Sequence, residues 1–229
     1  MSHQPRPLHL FGVIALLGAV SLYAAGAAAA RHRGPGSDDA PGDFAYYVLS
    51  LSWSPAFCLS SPGDAECSGP RRYGFTVHGL WPQNETGWPE HCDVRRAVPD
   101  DVVQSMAELM PARALVYHEW SAHGTCSGLE PAEYFRLVRR AFAGVAIPRE
   151  LSNPTQAIEQ PPAAVAAAFL HANPRLGPQS VVVTCSGQES PRLREVRVCL
   201  DRDLAPRACS TEALHEACRA PQVIIPPIR

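Results

Sequence analysis

From Phe44 the chain runs FAYYVLSLSW, aromatic and apolar positions separated by little more than serines, and GFTVHGLW, SVVVTC and LREVRVCLD follow the same habit further along. Short runs rich in β-branched and aromatic residues predict four strands. A helical period replaces this pattern in DDVVQSMAELM. There Val102, Val103, Met106, Leu109 and Met110 fall on one face, and Asp100 and Asp101 stand favourably at its start. EPAEYFRLVRRAF repeats it with Tyr134, Phe135, Leu137, Val138 and Phe142, and PPAAVAAAFLHANP is bounded by proline at its start and Asn-Pro at its stop. Strands, then helices, then strands again, without strand-helix alternation, predict an α+β fold with a mostly antiparallel central sheet and flanking helices. The Pro- and Gly-rich stretches 61–72 and 82–100 read as long loops, which in a compact domain are functional or stapled.

The first thirty residues differ from everything after them. Arg6 is a lone early cation, an apolar run extends from Leu8 to Leu22, and the small-residue tract Ala24 to Ala30 precedes Arg31. That layout predicts a cleaved signal peptide over 1–30; an uncleaved anchor, needing roughly 20 apolar residues, is the competing reading. Residues 31–43 (RHRGPGSDDAPGD) read as a flexible mature N-terminus, leaving 44–229 as a single domain. Export implies a secreted or periplasmic location. The eight scattered cysteines then predict disulfides, and no Cys-x-x-Cys pair suggests zinc. All 20 basic residues are arginine. The formal charge of −2 becomes −3 once Arg6 leaves with the leader. This balance argues against a tight nonspecific nucleic-acid binder, which gains affinity by neutralising phosphates. It is compatible with an enzyme that holds a few nucleotides and releases them.

Two segments carry candidate chemistry, FTVHGLWPQ from Phe75 and HEWSAHGTCSG from His118. The first brings His78 and Trp81 out where a strand gives way to a loop. Treated as one continuous helix, HEWSAHG places His118, Glu119, Ala122 and His123 on one side and turns Trp120 toward the core. It also makes Glu119 and His123 an i,i+4 pair, so the carboxylate can orient the ring. A zinc protease would need His-Glu-x-x-His. Here the spacing is one residue longer, and the rings point roughly 140° apart, unable to share one ion. Two histidines without metal suit a reaction that removes one proton and donates another at a different atom. RNA transesterification is such a reaction: one ring deprotonates the ribose 2′-OH and the other protonates the departing 5′-oxygen. Each residue alone is more often a satisfied core side chain, and it is their combination that points to function.

The two segments resemble the paired motifs of the T2 family of acid endoribonucleases, His-Gly-Leu-Trp-Pro and His-Glu-Trp-x-Lys-His-Gly-Thr-Cys. The text ELMPARALVYHEW and CSGLEPAEYFRLVRRAF is similar to the bacterial branch, and the resemblance spans Tyr46 to Cys218. It implies His78 as general acid, His123 as general base, Glu119 as the supporting carboxylate, His118 as a phosphate contact and Trp81 as a base-stacking ring. It further implies a monomer that acts on single-stranded RNA without metal or other cofactor, spares DNA, and keeps no stable membrane association after leader removal. The disulfides implied are Cys92–Cys126, Cys185–Cys218 and Cys199–Cys209, leaving Cys58–Cys67. One departure stands out: Ala122 occupies the family's lysine position, where a cation would stabilise charge on the phosphorane. On this reading Ala122→Lys raises turnover, unless an arginine such as Arg71 or Arg72 already fills the gap. Ser52 and Gln83 also depart from common family residues, leaving base preference open. The alternative function is a non-catalytic secreted RNA- or protein-binding homologue on the same scaffold.

Overall fold

The computed structural model describes Met1 and residues 40–92, 96–187 and 189–228. The expected leader, after Met1, and residues 31–39 lie outside these. Strand β1 (Tyr46–Trp53) runs directly into helix α1 (Ser54–Ser60), followed by the short α2 (Ala65–Ser68) and strand β2 (Phe75–Gln83). Helices α3 (Asp100–Met106) and α4 (Arg113–Ala122), a 3-10 turn (Gly124–Ser127), α5 (Pro131–Ala143) and α6 (Arg149–Ser152) come next. The chain closes with β3 (Ile158–Gln160), α7 (Pro162–Ala172), β4 (Val181–Ser186), β5 (Arg192–Leu200), α8 (Thr211–His215) and β6 (Val223–Ile225).

The four runs read as strands are β1, β2, β4 and β5, and the predicted helices are α3, α5 and α7. Pro131 opens α5, whose Glu130 and Glu133 form a capping box. The sheet order is β2-β1-β5-β6-β3, with β4 also paired to β5. Its pairs are antiparallel except β5 with β6, which run parallel through Arg192 and Ile224. An α+β fold with a mostly antiparallel sheet is therefore what forms.

Apolar residues occupy both parities of β1 because both of its faces are covered. Tyr47, Leu49, Leu51 and Trp53 enter the main core with Val103, Met106, Phe135 and Phe169 from the helices. Tyr46 and Val48 enter a smaller cluster with Val182 and Cys199, against which Trp81 packs. Full burial of such side chains stabilises by about 1.5–3 kcal/mol each.

The polar part of that second face is shaped by two bulges. Ser50 pairs with Gly79 and Leu51 with Val77, so His78 is an extra residue in β2. Thr184 pairs with Glu195 and Cys185 with Leu193, so Arg194 is an extra residue in β5. A bulge bends the strand and re-aims the side chain at that point. Across the three strands Thr76, Ser52 and Glu195 form one row, and Gly79, Ser50 and Arg197 another.

Four disulfides join Cys58–Cys67, Cys92–Cys126, Cys185–Cys218 and Cys199–Cys209, the pairing that the resemblance implies. Cys92–Cys126 ties the loop after β2 to the 3-10 turn that follows His123. Residues 40–43, within the stretch read as a flexible N-terminus, make a turn whose Gly42 N–H donates to the Cys126 carbonyl at 2.9 Å. Among the described residues no helix is long and apolar enough to cross a membrane.

Candidate active site

His78 is half-buried, and its two ring nitrogens face two carboxylates. Nδ1 lies 2.7 Å from Oε1 of Glu195 on β5, and Nε2 lies 3.6 Å from Oε1 of Glu119 on α4. The Trp81 indole N–H donates to Oε2 of Glu119 at 2.7 Å. Gly79 makes this crowding possible, since a Cβ there would collide with Oε2 of Glu119 and Nε1 of Trp81. The Trp81 ring separates the two histidines, its centroid 5.1 Å from that of His78 and 5.4 Å from that of His123.

The surroundings shift the two imidazoles in opposite directions. Burial alone lowers the pKa of His78, but the hydrogen bond to Glu195 and the charge of Glu119 outweigh it and hold the ring above its ordinary value. Burial, reinforced by His118, His78 and His91, pushes His123 down to about 3. Its Nδ1 is buried with no hydrogen-bond partner. Burial also drives Glu119 up to about 7 against the pull of His78 and the Trp81 N–H, while its Oε1 makes no hydrogen bond.

Burial would raise Glu195 too, but the His78 hydrogen bond and the Arg197 charge hold it at about 2. Arg197 donates from Nε at 3.0 Å and approaches with Nη2 at 2.9 Å, both to Oε2 of Glu195. It also pairs with Glu216, and its guanidinium carbon lies 5.1 Å from the Trp81 ring centroid.

Two grooves meet at this cluster. The larger, of about 460 Å³, is lined by His78, His118, Arg194, Glu195, Glu66 and Phe57. The smaller, of about 200 Å³, is lined by Trp81, His123, Arg197, Gln83, Glu90 and Trp88.

The motif residues thus gather at one place, but the helical projection does not survive. Helix α4 ends at Ala122, and His123 has left it with φ −124° and ψ −45°. Its side chain therefore departs from the direction a continued helix would impose. His118 is exposed, whereas Glu119 and Ala122 are buried, so the supposed single face is split. Glu119 engages His78 and Trp81 rather than forming the expected pair with His123. Trp120 is core, as its place on the helix suggested, and donates to the Arg96 carbonyl at 2.7 Å.

Arg71 and Arg72 do not fill the gap at Ala122. Arg71 sits over Tyr73 and near Glu108, Arg72 donates to the Gly69 carbonyl, and both line a separate cavity. Among the described residues the arginines beside the histidines are Arg194 and Arg197, and they and Glu195 lie outside both motifs. A signal for them existed. Leu193 and Val196 both enter the core although three residues apart, as do Val77 and Leu80, and that break in strand period marks each bulge. Among the described residues no group of three His, Cys, Asp or Glu side chains is arranged to hold a metal ion.

A model of the ribonuclease T2 family matches residues 44–209. A ribonuclease of Aeromonas hydrophila is 46% identical over 97 residues, 42% of this chain and 44% of that protein. A probable ribonuclease of Haemophilus influenzae is 32% identical over 122 residues, 46% of this chain and 44% of that protein. The chain thus spans under half the length of these two relatives. Among solved structures, an RNase-related protein from Calystegia sepium superposes with a TM-score of 0.65 at 24% identity, over 81% of this chain and 98% of that one. That likeness is one of fold.

Proposed function

The chain belongs to the ribonuclease T2 family, and from that premise we propose that it is an endoribonuclease cleaving single-stranded RNA by metal-independent transesterification. The reaction passes through 2′,3′-cyclic phosphates to 3′-phosphate ends. The observation that carries this reading is the pair of histidines flanking Trp81, whose surroundings shift one ring toward the acid form and the other toward the base. His123 takes the proton of the 2′-OH, the freed oxygen attacks the adjacent phosphorus, and His78 protonates the leaving 5′-oxygen. Glu119, buried with Oε1 facing His78 and Oε2 held by the Trp81 indole, supports the ring rather than meeting solvent. Trp81 offers a stacking surface and His118 a phosphate contact from the larger groove.

The disulfides suit an oxidising compartment, so residues 1–30 are assigned as a cleaved leader and the mature protein as a secreted or periplasmic monomer without stable membrane association. The test is incubation of the mature protein with a short RNA in EDTA, followed by identification of the ends. Cyclic phosphate ends are expected, with DNA untouched for want of a 2′-OH. Abolition by EDTA, or 5′-phosphate ends, would refute the assignment.

The pH profile follows from the two shifts. A general base acts when neutral, so His123 sets the acid limb of kcat/KM near its pKa of about 3. A general acid acts when protonated, so His78 sets the alkaline limb above its ordinary value of 6.5. A bell displaced wholly to alkaline pH would reverse or remove these roles.

Ala122 is only 3% exposed, so a lysine stem there would have to displace packed neighbours. The cation assigned to the phosphoryl charge is Arg194, which the bulge in β5 adds to the groove shared by His78 and His118. Ala122→Lys should leave kcat flat or lower, and overpacking should cost about 1–3 kcal/mol. Thermal melting and steady-state rates check both; a raised kcat would support the vacant-cation reading.

A further inference from the structure

We propose, resting on the ribonuclease reading, that Glu195 is the positioning residue of His78, with Arg197 fixing Glu195 in turn. The carboxylate is 1% exposed, and both oxygens are committed: Oε1 to His78 Nδ1 at 2.7 Å and Oε2 to the Arg197 guanidinium at 2.9 and 3.0 Å. A buried carboxylate bonded at Nδ1 selects the tautomer of the neutral ring and sets the ring plane. The proton exchanged with substrate is then carried on Nε2, the nitrogen on the Glu119 side. Arg197 offsets the cost of burying the Glu195 charge and is itself steadied by Glu216 and by the Trp81 face.

This bond crosses the sheet. The two residues are 117 apart in sequence, and the row containing Thr76, Ser52 and Glu195 adjoins the His78 bulge. Neither catalytic motif contains Glu195, so sequence proximity gives no reason for the contact.

The groups facing His78 are Glu195 and Arg194 from β5, Glu119 from α4, Glu66 from α2, and His123 beyond the indole, with His118 in the same groove. Of these, Glu195 alone is hydrogen-bonded to the ring. Loss of its charge therefore acts on the general acid and leaves the general base in place.

Glu195→Gln should lower kcat/KM at neutral pH by about ten- to a hundredfold, a share of the 10²–10⁴ that general acid–base catalysis contributes. The loss should shrink as pH falls, because His78 protonates without help in acid. The alkaline limb moves to lower pH and the acid limb stays. Glu195→Asp should recover part of the neutral-pH rate. A purely structural role would give a loss independent of pH, and an unmoved alkaline limb in folded Glu195→Gln would overturn the proposal. Should that variant fail to fold, ¹⁵N shifts of the wild-type protein decide. Neutral His78 is expected as the Nδ1–H tautomer, and an Nε2–H tautomer would reject the assignment. Absence of RNA cleavage by the wild type would instead strike the ribonuclease reading, while the tautomer result stands apart from it.

Discussion

Alanine at His78 or at His123 should lower RNA cleavage by about 10²–10⁴-fold, the range expected when a general acid or base is removed. The loss should lie in kcat, because each ring acts on a proton in flight rather than on the bound ground state. The two variants should also differ in their residual pH dependence. His123→Ala removes the limb set near pH 3, and His78→Ala removes the alkaline limb. Both histidines are only half-buried, and His123 lies beyond the end of α4, so the fold should survive and circular dichroism should match the parent. An undiminished rate in either variant would end the two-histidine assignment, and equal residual profiles would end the division of roles.

Gly79→Ala should be nearly as damaging, although glycine has no reactive group. The added methyl would meet Oε2 of Glu119 and Nε1 of Trp81, which are bonded to each other at 2.7 Å. Separating them displaces the carboxylate that faces His78 and the indole that stands between the histidines. A lost preorganised group costs about 10²–10³ in rate, and crowding of a packed site costs about 1–3 kcal/mol. Gly63→Ala is the control, because a Cβ there meets nothing within 4 Å. Equal activity of the two alanine variants would show that the Glu119–Trp81 contact is dispensable.

Legibility in the sequence followed the length of each element and the locality of its contacts. β1 and β5 could be read because eight or nine residues of apolar and β-branched character leave few other structures. β3 and β6, three residues each, exist through pairing with one another, and a run that short has no pattern of its own. HEWSAHG carries a helical period that can be extended through His123, whereas the helix stops at Ala122, and the glycine that marks this stop, Gly124, lies just past the cap. Glu195 and Arg197 escaped for another reason. Charged residues between Leu193, Val196 and Val198 look like a solvated strand face, and the break in period at the Arg194 bulge is the one local sign to the contrary.

The bulge at His78 separates what the sheet requires from what the chemistry requires. Ser50 meets Gly79 and Leu51 meets Val77, so the ladder has no seat for the residue between them. The histidine is surplus to the pairing of the strand, and on the proposed mechanism its place there serves the reaction. Its deletion would let Gly79 follow Val77 in an unbroken ladder with Ser50 and Leu51, at the cost of the ring that lines the larger groove and bonds Glu195.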